Sequence, residues 1–303
     1  MTVHPLRWLV AVAAMTTTTM IAGPAFAAPA LAPGDTYVAL GSSYAAGGGL
    51  GPADPAGLQG CGRTTIAYPY LVAEALDLQL TNAACGGASI DNVAGTPQQI
   101  WGWDGTNRLG PLQLDAVHAD TDVVTITIGG NDVNYVGNLT AEACLGDLAA
   151  NPASVISNQL KSYGLCSPRP DSLVRQQLDT LQDSLVRMVQ DVRGRAPQAR
   201  IVLVDYISVL PENGKPCAAL PIPQDRQKFL LEVARKVSLA TKLAAHETGV
   251  ELVAASKLSR GHDACSTEPW VIGYDFSQGF VMMHPNATGH AAVADAVVRQ
   301  LNS

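Results

Sequence analysis

Apolar and polar residues along this chain follow two alternating periods. Short apolar runs, too short for helices and bounded by glycine or polar clusters, occur at Tyr37–Leu40, Asp122–Ile128, Arg200–Asp205 and Val250–Ala254, and Leu78–Ala84 is a candidate for a further strand. Runs of this length that are apolar at successive positions are expected as strands buried on both faces. Asp122–Ile128 is the clearest, being β-branched and apolar. Between the runs the spacing becomes helical. Residues 66–78 carry apolar positions at 67, 71, 72, 75 and 76. Val174, Leu178, Leu181, Leu185, Val189 and Val192 recur at helical intervals behind Asp171 as the expected N-cap. Phe229–Ala245 predicts a second long helix closed by Gly249, and Ala287–Leu301 a last one.

Strands alternating with helices imply a parallel sheet of about five strands covered on both faces, an α/β three-layer sandwich. Residues 47–63 and 95–110 read as loops rich in glycine, proline or polar residues. Residues 137–170 hold two cysteines, Pro152 and little periodicity, and are expected to form a disulfide-tied excursion with short helical pieces. No repeat, charge block or linker divides the chain, so residues 28–303 are expected to be one domain.

The first 27 residues stand apart. His4 and Arg7 precede an apolar stretch from Trp8 to Ala14, and Ala25-Phe26-Ala27 has the small-x-small form of a cleavage site. This reads as a secretory leader cut after Ala27, with Thr16–Thr19 interrupting any membrane anchor. The expected location is therefore extracellular. All six cysteines follow the cut, and none forms a CxxC pair. Six cysteines allow 15 connectivities. Sequential pairing, Cys61–Cys85, Cys144–Cys166 and Cys217–Cys265, is favoured because each bridge then staples one loop-rich insertion. Each would add on the order of 2–4 kcal/mol by restricting the unfolded chain. Zinc-ligand spacing is absent, so no metal and no cofactor is expected. The formal charge is −7, or −8 once Arg7 leaves with the leader, and no basic stripe occurs. Nucleic acid and anionic membrane surfaces are thereby poor partners.

Candidate chemistry sits at the strand ends. Ser42 and Ser43 follow the first strand, Gly86 and Gly87 the second, and Gly130 and Asn131 the third. His284 precedes the final helix. In a parallel sheet the first three clusters share the carboxyl edge, where α/β folds bind ligands. Acyl transfer requires a hydroxyl nucleophile, an imidazole to take its proton, and donors for the developing oxyanion.

These clusters resemble the four blocks of the SGNH hydrolases, the GDSL-type esterases and lipases, in the family's order. The blocks read Gly41-Ser42-Ser43-Tyr44, Gly87 within Cys85-Gly86-Gly87-Ala88, Gly129-Gly130-Asn131-Asp132, and His284-Pro285-Asn286. With the leader and six cysteines, the chain is similar to the family's secreted actinobacterial branch. The resemblance implies a flavodoxin-like fold, Ser43 as nucleophile and His284 as base. It also implies the Ser43 and Gly87 N–H groups and the Asn131 side chain as oxyanion donors. Two positions depart from the pattern. The family's aspartate before the serine is Ser42 here, and the triad aspartate three residues before the histidine is Val281. The resemblance then implies a Ser43–His284 dyad with the Val281 backbone carbonyl orienting the imidazole, and Asp275 as fallback acid.

The expected function is a secreted serine esterase or lipase acting on small-molecule or lipid esters, as a monomer without a stable membrane anchor. A carbohydrate deacetylase of the same fold and a non-catalytic binding protein are the alternatives. Asp132 is read as structural and His290 as a core or capping histidine. Trp101, Trp103, Trp270, Met282 and Met283 are candidates for an acyl pocket, with ordinary packing as the alternative.

Overall fold

The computed structural model describes residues 1, 31–101, 107–277, 279 and 281–303; the expected leader lies almost wholly outside them. Five strands form one parallel sheet: β1 (Thr36–Gly41), β2 (Gln79–Asn82), β5 (Val123–Thr127), β6 (Arg200–Val204) and β7 (Glu251–Val253). Their spatial order is β2-β1-β5-β6-β7. The direction of winding reverses between β1 and β5, which pair from Tyr37 with Val123 to Gly41 with Thr127. A crevice opens at the carboxyl ends of the strands flanking such a reversal. β5 and β6 are buried throughout, as their unbroken apolar runs require.

Two helical layers cover the sheet. In one, α6 (Asp171–Arg195) packs along α7 (Gln224–Thr248); in the other, α2 (Tyr68–Leu76) packs against α9 (Ala287–Leu301). The periodic positions of α6 face inward, with Val174, Leu181, Leu185, Val189 and Val192 buried and Leu178 packed against the same core. Gly249 ends α7 with φ 64°, a left-handed C-cap. Asn286 caps α9, its side-chain oxygen accepting from the Gly289 N–H at 2.9 Å. Short helices α1 (Ser43–Ala46), α3 (Asp91–Ala94), α5 (Val155–Ser162) and α8 (Ala255–Leu258) fill the connections. Among the described residues no helix is long and apolar enough to cross a membrane.

Three expectations need correction. Asp171 opens the first turn of α6, and Pro170 occupies the cap. The Asp171 carboxylate instead meets Arg226 at 2.8 Å, which holds its pKa below the usual range. The 137–170 excursion contains a full helix, α4 (Tyr135–Ala150), before α5. Its periodicity is masked because the polar Asn138 and Glu142 take buried positions. Asn138 Oδ1 accepts from Asn134 Nδ2 and the Arg169 N–H, each at 2.8 Å, and Glu142 accepts from Arg226 Nε at 2.8 Å. Residues 95–110 are more than a loop, since β3 (Gln99–Trp101) pairs antiparallel with β4 (Asn107–Leu109).

The cysteines pair as Cys61–Cys85, Cys144–Cys166 and Cys217–Cys265. The first bridge ties the glycine-rich segment after α1 to the turn after β2.

Candidate active site

The first strand ends at Gly41 in a backbone conformation, φ 135°, that only glycine adopts readily. Any Cβ there would overlap the Thr127 carbonyl. The next N–H, of Ser42, donates to that carbonyl at 2.9 Å. The Gly41 peptide groups are held by a buried side chain, Gln113. Its Oε1 accepts from the Gly41 N–H at 2.7 Å, and its Nε2 donates to the Gly41 carbonyl at 2.9 Å. The same carbonyl accepts from the Cys85 N–H at 3.0 Å, linking the first and second strand ends. Ser42 is buried and lies 3.0 Å from the Tyr206 hydroxyl, which also accepts from the Gly130 N–H at 3.0 Å. Tyr206 thus joins the serine turn to the glycine-asparagine turn after β5. Burial pushes its hydroxyl pKa up to about 12, so it stays protonated.

Ser43, first residue of α1, presents Oγ 2.8 Å from Nε2 of His284. His284 Nδ1 lies 2.8 Å from the Met282 carbonyl. A carbonyl only accepts, so Nδ1 carries the proton and the Nε2 lone pair faces the serine hydroxyl. Burial lowers the His284 pKa, opposed by the Met282 and Val281 carbonyls; the imidazole is neutral near pH 7. The acceptor is Met282, not Val281. Met283 has a left-handed backbone, φ 64°, which turns the chain so that the Met282 carbonyl folds back onto its own loop's imidazole. The Val281 carbonyl accepts instead from the His284 backbone N–H at 3.3 Å. This turn is pinned on two sides. Tyr44 donates its hydroxyl proton to the Met283 carbonyl at 2.5 Å, and the Met283 N–H donates to the Ile272 carbonyl at 2.9 Å. Tyr44 also packs its ring against His284, centroids 5.3 Å apart. On the opposite side, a Cβ at Gly48 would lie 3.0 Å from the imidazole Cδ2.

Among the described residues the backbone N–H groups of Ser43 and Gly87 have no hydrogen-bond acceptor. Asn131 Nδ2 donates to the Ala88 carbonyl at 2.9 Å, which fixes its amide beside Gly87. Ser43, His284, Gly87 and Asn131 line one cavity of about 860 Å³. Its walls come from the segment Gly48–Thr64, the Gly86–Gly87 turn, and the start of α4 through Asn134, Val136 and Gly137.

The sequence matches the GDSL-like lipase/acylhydrolase family over residues 39–292. The chain belongs to that family. Like its members, it is a carboxylic ester hydrolase. It is 34% identical to Lipase 2 of Streptomyces coelicolor over 286 residues, covering 93% of this chain and 89% of the relative. It is 27% identical to a lipase of Streptomyces rimosus over 257 residues, 82% of this chain and 80% of the relative. Among solved structures, an extracellular lipase from Streptomyces rimosus superposes with TM-score 0.65 at 25% identity, covering 88% of this chain and 98% of that one. A phospholipase A1 from Streptomyces albidoflavus shares the fold, with TM-score 0.66 at 21% identity over 88% and 99% of the two chains.

Against the family's pattern, other expected residues fall as follows. Asp275 is exposed and accepts from the Ser277 N–H at 2.9 Å and hydroxyl at 2.8 Å. These bonds lower its pKa, and nothing brings its carboxylate to His284. Asp132 accepts from the Ile90 N–H at 3.2 Å, tying the third block to the segment after Gly87. His290 is buried, and its Nδ1 accepts from the Tyr68 N–H at 3.3 Å. Of the acyl-pocket candidates, the described Trp270, Met282 and Met283 do not line the cavity. Trp270 stacks on His262 with centroids 4.1 Å apart, and Met282 and Met283 are buried in the core. Trp103 and the Trp101 side chain lie outside the described residues. Sequence reasoning missed Gln113 and Tyr206. Gln113 has no motif around it, whereas Tyr206 directly follows the β6 run and was open to notice as a polar handle at a fourth strand end.

Proposed function

We propose that this chain is an exported esterase or lipase that works through an acyl-enzyme on Ser43, with residues 28–303 forming one hydrolase domain after a leader of residues 1–27. The observation supporting this most directly is the relay Ser43 Oγ to His284 Nε2, and His284 Nδ1 to the Met282 carbonyl, each at 2.8 Å. As Ser43 Oγ bonds to the ester carbon, its proton passes to Nε2. The carbonyl oxygen becomes an oxyanion facing the free N–H groups of Ser43 and Gly87 and the Asn131 amide. Collapse breaks the bond to the alcohol oxygen, which leaves with the proton from Nε2. Water then repeats the sequence on the acyl-enzyme, releases the acid and restores the serine. The imidazolium formed between these steps is oriented by a carbonyl dipole rather than a carboxylate charge.

A fluorophosphonate should form one adduct, located on the peptide carrying Ser43, and abolish hydrolysis. An activity panel of p-nitrophenyl esters of increasing acyl length, set against acetylated sugars, separates lipase or esterase from carbohydrate deacetylase. A native protein that hydrolyses esters but carries no label at Ser43 refutes the assignment.

A further inference from the structure

The cavity contains a cation that ester cleavage itself does not use. Arg63 is the only lysine or arginine among the described residues lining it. Its Nε donates to the Ala84 carbonyl at 2.7 Å. That bond anchors the side chain with one of its five N–H donors, and among the described residues no acceptor meets the rest. No carboxylate among the described residues lies within ion-pair distance. Asp54, the acid on the same wall, is committed elsewhere. It accepts from the Tyr70 hydroxyl at 2.6 Å and from the Ala56 N–H at 3.0 Å. Burial disfavours the charge on Arg63, yet a guanidinium remains protonated in proteins. A half-buried, anchored guanidinium lining a cavity, with the Asp54 charge nearby but not bonded to it, is incompletely compensated until an anion completes it.

The position is also close to the chemistry. Cys61 is bonded to Cys85, so Arg63 and Ala84 flank a covalent staple, and the Gly86 N–H donates to the Cys61 carbonyl at 2.8 Å. Ala84 precedes Gly87 by three positions, a span of at most about 10–11 Å between Cα atoms even in an extended chain. In a glycerol phosphate ester, six covalent bonds separate the scissile carbonyl carbon from phosphorus, which suits that distance.

We propose that Arg63 is a specificity residue that receives an anionic group, phosphate or carboxylate, carried a few bonds from the scissile ester. The proposal rests on Ser43 being the acylated residue. Planar guanidinium donors match the two oxygens of either group, and the anion would supply the direct ion pair that Asp54 does not make.

The test compares kcat/KM for 1-butyrylglycerol, 1-butyrylglycerol 3-phosphate and 1-succinylglycerol. The first is neutral, the second carries phosphate on the alcohol, and the third carries carboxylate on the acyl group. The unmodified enzyme should prefer one charged ester over the neutral one by about tenfold or more, and which one identifies the source of the anion. Arg63→Gln, which retains a donor for Ala84, should lower that ratio at least about tenfold, and Arg63→Lys should fall between. Reading the ratio cancels any general loss of activity. A wild-type ratio at or below one, or an unchanged ratio in Arg63→Gln, overturns the proposal. Binding of the same esters to Ser43→Ala, with and without Arg63→Gln, reads Arg63 without turnover. Failure of the Ser43 assignment appears separately, as a missing fluorophosphonate adduct.

Discussion

The side-chain amide of Gln113 pairs with both polar groups of Gly41, mimicking a strand neighbour at the point where β1 gives way to the serine turn. Neither group reaches bulk water, since Gln113 is 4% exposed. The Gly41 carbonyl retains a second donor in the Cys85 N–H, but the Gly41 N–H depends on Gln113. Gln113→Met, similar in volume and without hydrogen bonds, should therefore destabilise the protein by about 1–3 kcal/mol, the cost of an orphaned buried donor. Urea unfolding measures this, and a change below about 0.5 kcal/mol would show that the pairing carries no stability.

Ser43→Ala should reduce ester hydrolysis at least about a thousandfold while leaving the melting temperature near that of the parent. Ser42→Ala should retain measurable turnover, because Ser42 acts only through its contact with Tyr206. If Ser42→Ala is the inactive variant and Ser43→Ala the active one, the nucleophile is misassigned.

No carboxylate side chain should be indispensable. Asp275→Asn, and Asp263→Asn at the buried aspartate whose carboxylate accepts from the Cys265 N–H at 2.9 Å, should each stay within roughly tenfold of parent kcat/KM, about 1.4 kcal/mol of barrier. His284→Ala should fall far below both. In the proposed mechanism His284 acts as the neutral base, and burial lowers its pKa from the ordinary value of 6.5. The acid limb of the pH–rate profile should therefore have its midpoint below 6.5, with activity lost as pH falls through it. A midpoint well above 6.5, or an inactive but folded Asp275→Asn, points to a carboxylate partner.

Acid stability should depend on His290. Burial depresses its pKa to about 3, and the imidazole stays neutral in the folded protein. The unfolded chain binds a proton near 6.5, so the stabilisation is complete above that pH and declines between about 6.5 and 3. Within this window the difference is one proton, a slope of about 1.4 kcal/mol per pH unit. His290→Gln should remove that slope from urea-derived stabilities measured between pH 7.5 and 4.5. An identical slope in both proteins contradicts the assignment.

The central strands were legible because they are apolar on both faces, and a run such as Val123–Thr127 permits no other burial, whereas the edge strand β2 exposes Gln79 and Thr81. Residues 287–301 were legible to the terminal position because Asn286 supplies a cap and the apolar spacing is regular. Helix α4 was not, since Asn138 and Glu142 face inward against partners, Arg169 and Arg226, that lie distant in sequence. At the site, Ser43 and His284 follow motifs that survive as local sequence. The acceptor for Nδ1 does not, because one left-handed residue, Met283, decides which carbonyl turns toward the ring. Trp270, Met282 and Met283 fell outside the cavity for a related reason. Tryptophan and methionine mark apolar burial wherever it occurs, whereas this cavity is walled largely by glycines and small residues.

A peptide carbonyl belongs to every amino acid, so the group that aligns His284 cannot be removed by changing a codon. Where an aspartate does this work, one nucleotide substitution can silence the gene product. In this chain positions 281 and 282, both buried, should accept other apolar residues of similar size in a mutational library without loss of the relay. The inactivating lesions should concentrate instead at Met283 and Tyr44, whose torsion and hydroxyl hold the turn. Genetic fragility has thus moved from the identity of one acid to the shape of a loop.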